Sequence, residues 1–180
     1  MRLEKPIVKH KKQILTQWFE VLSGTYPKDT ARFLKANPDA FTNPVGGTAR
    51  RSMEALLDAL LRDAPPEELT TLLDPLIRIR AVQTMFSPSQ ATAFILDFKS
   101  ILRTHLANEI ENPQDRRELQ VFEQRIDRLL LIAFDIFVRC REKIYHLKAT
   151  EEQSKIYRAF ARAGLVREKT EDQPDTGISE

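Results

Sequence analysis

The side chains in this sequence that could do chemistry are three histidines, one cysteine, one arginine–glutamine pair on an apolar face, and several adjacent acids. His10, His105 and His146 are too scattered to suggest a metal site, and no His-Glu-x-x-His arrangement occurs. A single cysteine, Cys140, excludes an intramolecular disulfide and a cysteine-based zinc site. It lies in an apolar helical stretch, where packing is the expected role. The five glycines form no phosphate-cradling loop, and no serine has the context of a nucleophile elbow. Glu67-Glu68 and Glu151-Glu152 sit where helix starts and exposed faces want negative charge. No catalytic constellation emerges, and an enzyme is not expected.

Arg80 and Gln83 share a helical face with Leu69, Leu72, Leu73, Leu76, Ile79 and Phe86. A buried or half-buried guanidinium needs a partner. The favoured reading is structural, with Arg80 tying a helix junction together through carbonyls or an acid. The other reading makes Arg80 and Gln83 ligand-binding residues. Arg78 should point away into solvent.

The elements that position these residues are all helical by pattern. Pro6 to about Ser23 forms the first helix, with Trp18 in the core and Gly24 as its stop. Lys28 to Ala36 forms a short second one, ended by Asn37-Pro38. Asn43 caps a helix that begins at Pro44, where Gly46 and Gly47 would let a neighbouring helix approach. A further helix runs from Pro66 to about Phe86. Ser87-Pro88-Ser89-Gln90 is a capping box that starts the next one with no intervening loop. That helix carries Ala91, Phe94, Ile95, Phe98, Ile101, Leu102 and His105 on one stripe. From Pro113 to about Ala163 nothing interrupts the helical pattern, and Leu129 to Val138, apolar on nearly every face, should be its most buried part. The class is all-α: a bundle of five to six helices over residues 1–166, then a disordered polar tail over 167–180.

Charge and hydropathy narrow the partners. Lys and Arg number 28 against 26 Asp and Glu, a balance that argues against nucleic acid. The run Lys9-His10-Lys11-Lys12 reads as a solvated helix face, with a phosphate-binding patch as the alternative. Met1 to Lys12 has no apolar run resembling a signal peptide, and no stretch is long enough to insert in a membrane. A cytoplasmic location is expected.

The segment IRIRAVQTMFSPSQATAFILDFK, together with Trp18, Tyr26-Pro27 and Phe41-Thr42-Asn43-Pro44-Val45-Gly46, resembles the RsbRD N-terminal domain family. These are sensory input domains of proteins related to the RsbR co-antagonists of bacterial stress signalling. The resemblance implies an all-helical input module, similar to the globin-like RsbR input domains that lack haem. Full-length relatives continue into a STAS output domain, whereas this sequence runs to Glu180 in a polar tail, so a stand-alone chain is expected. On a globin-like template His105 would be an axial haem ligand. The alternative for His105 is a helix C-terminus, where its charge meets unpaired carbonyls. No cofactor is otherwise expected.

The function expected from all this is a non-catalytic sensory or regulatory module in bacterial signal transduction that acts through protein–protein contacts. One alternative is an accessory or assembly protein of a larger complex, a redox complex included; another is a haem or small-ligand sensor. Self-association is also expected. A helix of about fifty residues is roughly 75 Å long, against a domain diameter of roughly 30 to 40 Å. Ile144, Leu147, Tyr157 and Phe160 would then form a homodimer seam; the alternative is a break near Ala149-Thr150, with the final turns folded back onto their own core.

Overall fold

The computed structural model describes residues 3–36 and 42–165, and its regular structure there is entirely helical. The Asn37-Pro38 stop, Phe41 and the expected tail lie outside the described residues. The helices are α1 (Glu4–Lys9), α2 (Lys11–Gly24), α3 (Lys28–Ala36), α4 (Pro44–Leu61), α5 (Pro66–Val82), α6 (Pro88–Thr92), α7 (Phe94–Leu106) and α8 (Pro113–Arg162). His10 interrupts the first run and Ala93 the run after Ser87, so among the described residues the eight segments make six runs. By contact the chain divides into two compact units, Met1–Glu142 and Lys143–Glu180.

In the first unit the core forms where α2 crosses α7 and α4 pairs with α5. Trp18 is fully buried, stacks on Phe98 at 4.2 Å between ring centroids, and donates its indole N–H to the Phe94 carbonyl at 2.8 Å. A buried indole needs such an acceptor, and the Phe94 carbonyl supplies one in the first turn of α7. α8 adds Leu119, Phe122, Ile126, Leu129, Ala133, Ile136 and Phe137 to the same core. Arg103 of α7 fastens it with a bidentate pair to Glu123, at 2.6 and 2.8 Å.

Several helix ends differ from what the pattern predicts. The first run ends at Gly24, but Thr25 has right-handed φ and ψ, and its hydroxyl donates to the Leu22 carbonyl at 2.6 Å. The hydroxyl and Pro27 stop the helix, rather than a left-handed glycine. Gly46 does not serve a neighbouring helix. A Cβ there would lie 2.3 Å from Asn43 Nδ2, so the glycine leaves room for the cap that holds α4. That cap is real: Asn43 Oδ1 accepts from Gly46 N–H at 2.9 Å, while its Nδ2 donates to the Leu34 carbonyl at 3.1 Å and ties α4 to α3.

One expectation fails outright. α5 ends at Val82, not near Phe86, because Gln83 turns extended and Phe86 folds inward against Tyr26 in an edge-to-face pair 5.2 Å apart. A short connection therefore separates α5 from the capping box, which is present in full. Leu129 to Val138 is the most buried stretch of α8, as expected, yet Leu131 is 65% and Phe134 44% exposed. Only one face of α8 meets the core, and apolar composition on the other face does not create a partner for it.

Candidate functional site

Arg80 is fully buried near the C-terminus of α5, where it reaches the α6–α7 interruption. Its Nε donates to the Ala91 carbonyl at 2.8 Å, and Nη2 donates to the Gln90 carbonyl and to Thr25 Oγ1, both at 3.1 Å. The guanidinium carbon lies 4.0 Å from the Phe86 ring centroid, with Tyr26 at 5.3 Å and Phe94 at 5.6 Å. Burial pushes the guanidinium below its ordinary arginine value, and the Tyr26 hydroxyl opposes that. No carboxylate pairs with Arg80 among the described residues; carbonyl dipoles and ring faces share the charge. Nη1 and the Oε1 of half-buried Gln83 are buried without a hydrogen-bond partner among the described residues. The geometry supports the structural role: one side chain joins α2, α5 and the start of the α6–α7 run. Arg78 is exposed and pairs with Asp74, as expected.

His105 is half-buried in the last turn of α7, with Nε2 3.0 Å from Gln17 Oε1 and its ring 6.0 Å from that of His10. Lys12, Gln13, Thr16, Gln17 and Glu20 line the groove beside it. These polar and charged groups do not fit the apolar faces of a haem. Among the described residues no group of His, Cys, Asp and Glu could hold a metal ion.

Arginine recurs at helix ends throughout the first unit. Arg125 donates to the Leu60 carbonyl at 2.7 Å where α4 ends, and its Nε lies 3.1 Å from Asp63, which has a left-handed φ of 56°. Arg141 donates to the Ala81 carbonyl at 3.1 Å where α5 ends. Each places a cation on the negative end of a helix.

Another arginine held this way carries no mark in the sequence analysis. Arg50 of α4 lies 3.6 Å above the Phe19 ring of α2, and its Nη2 donates to the Leu34 carbonyl near the end of α3 at 3.5 Å. Its Nε is buried and unpaired, and burial lowers its pKa. Unlike Arg80, it opens onto a concave groove of about 420 Å³ between α2 and α4, lined also by Lys12, Leu15 and Met53. The signal available in the sequence was the spacing Val8, Lys12, Leu15, Phe19, which places the basic run beside an apolar strip on one helical face.

In the second unit, the anticipated seam residues Leu147, Tyr157 and Phe160 are exposed and Ile144 is half-buried. Tyr145 and Ile156 are exposed as well, and at 100° per residue they share a face with Phe160 that Ile144 and Leu147 do not.

Among the described residues no helix is long and apolar enough to cross a membrane. An uncharacterised protein of Archaeoglobus fulgidus is 27% identical over 88 residues, which is 48% of this chain and 54% of that protein. The chain thus spans about half the length of that curated relative. No solved structure matches it. Residues 12–151, most of the chain, match the model of the RsbT co-antagonist protein rsbRD N-terminal domain, and the chain belongs to that family.

Proposed function

We propose that this chain is a non-catalytic sensory or regulatory module of bacterial signal transduction, working in the cytoplasm through protein–protein contacts. The family membership over residues 12–151 carries the reading, since it is a family of regulatory input domains. In this reading a ligand or partner biases the helix packing of the first unit, and α8 carries the change. The exposed side chains Tyr145, Ile156, Tyr157 and Phe160 supply the contact surface, occupied by a second copy of the chain in a two-fold dimer. Sedimentation at micromolar concentration tests the dimer. A dimer that becomes a monomer when Tyr157 and Phe160 are both changed to Ser supports it; a wild-type monomer contradicts it.

An accessory role in a larger complex is the second reading. Exposed Leu131 and Phe134 on α8 favour it, because they give the first unit an apolar surface of its own. Leu131→Glu should then abolish recovery of a stoichiometric partner from native lysate while leaving the dimer intact.

A further inference from the structure

We propose that the groove between α2 and α4 binds a small amphiphilic organic anion, its headgroup held by Arg50 and Lys12 and its apolar body lying over Leu15 and Met53. The charge pattern of the lining carries the argument. Lys11 is already engaged, with Nζ 2.8 Å from Asp58 Oδ1 and 3.5 Å from Glu54 Oε1. Lys9 is engaged with Glu109 at 2.7 Å. Among the described residues no carboxylate neutralises the other two cations of the lining, Arg50 and Lys12.

Arg50 is the more telling of the two. An arginine carries five N–H donors, and here, among the described residues, one hydrogen bond, at 3.5 Å, engages a protein acceptor. The Phe19 ring covers one face of the guanidinium. The guanidinium lines the groove with no carboxylate beside it among the described residues, so an incoming carboxylate or phosphate would stabilise it, and a planar fork suits either oxyanion. Burial lowers the Arg50 pKa, and an anion beside the guanidinium would oppose that shift.

The apolar half of the groove sets the rest of the ligand. Met53 and Phe19 are core residues that also reach the groove, Leu15 is half-buried, and Val8 stands exposed at its edge. A free inorganic anion would leave half-buried Leu15 and exposed Val8 uncovered. A volume of about 420 Å³ is in the range of small-molecule sites, and a single chain of about ten carbons with one anionic head is of that size. A macromolecular partner would need a far larger matching surface than this concavity.

The binding is independent of whether the chain relays a signal. Titration calorimetry with decanoate, kept below its micellar range, tests it, with decanol, acetate and phosphatidylglycerol vesicles as comparison ligands. The expected result is one decanoate per chain, with decanol and acetate both about tenfold weaker or worse. Arg50→Met, which keeps an apolar stem on Phe19, should weaken decanoate about tenfold and leave decanol unchanged. Lys12→Gln should weaken it about threefold. If the Arg50 variant does not fold, Lys12→Glu at an exposed position carries the same test. Equal affinity for decanol and decanoate, unaltered decanoate binding in the variants, or capture by vesicles without binding of free decanoate would each overturn the proposal.

Discussion

Arg80 and Arg50 are built alike and finished differently. Each lies over a phenylalanine ring, each donates to a backbone carbonyl near a helix end, and neither has a carboxylate partner among the described residues. Around Arg80 three hydrogen bonds and three rings close the site, with nothing left open to solvent. Around Arg50 one long hydrogen bond and one ring leave the guanidinium facing a groove. The same residue becomes a structural tie or an open receptor according to how much of its hydrogen-bonding capacity the fold has already used.

Breaking the two in parallel should separate them most clearly. Arg80→Met removes the donor from two carbonyls and a hydroxyl at a buried junction, at a cost of about 3 kcal/mol in urea unfolding. Arg50→Met should cost about 1 kcal/mol or less, because a single weak hydrogen bond is lost at a half-buried position. Similar losses for both would remove the distinction.

Smaller effects sharpen each side. Gly46→Ala drives a Cβ against Asn43, whose Nδ2 shares the Leu34 carbonyl with Arg50, so it should cost about 1 to 2 kcal/mol and also weaken decanoate binding. On the Arg80 side, Ser87→Ala deletes the capping box at the start of α6 and should lower stability by about 1 kcal/mol. Replacing both Tyr157 and Phe160 by Ser should change unfolding free energy of the first unit by no more than about 0.5 kcal/mol, since neither is buried, while shifting the sedimentation coefficient toward monomer. Haem titration should give no Soret band that depends on His105, given the polar groove beside it.

Helix existence was legible in the sequence because periodicity, proline and caps act locally. Lys28–Ala36, the start at Pro44 under Asn43, the Ser87 capping box and the uninterrupted α8 all follow from residues within one turn of each boundary. Even Pro75, inside α5, does not break that helix. What failed to show was whatever depends on contact between distant segments. Phe86 leaves the helical register because Tyr26 and Arg80 receive it from elsewhere in the chain. The exposure of Leu131 and Phe134 depends on which face of α8 the other helices cover. Arg50 escaped notice for the same reason: its meaning comes from Phe19 and Leu34, 31 and 16 residues away. Arg80 was found because it sat in the middle of an apolar stripe, whereas Arg50 stands at the N-terminal end of the stripe that Met53, Leu57 and Leu61 continue along α4.

The contrast between the two arginines can be read directly from their side-chain Nε–H resonances in a ¹⁵N-labelled sample, with and without decanoate. Arg80, bonded to the Ala91 carbonyl, should exchange slowly with solvent and keep its shift on addition of ligand. The Arg50 signal should move and saturate with the same affinity that calorimetry reports. An unmoved Arg50 resonance, or a ligand-dependent shift at Arg80 instead, would contradict the account.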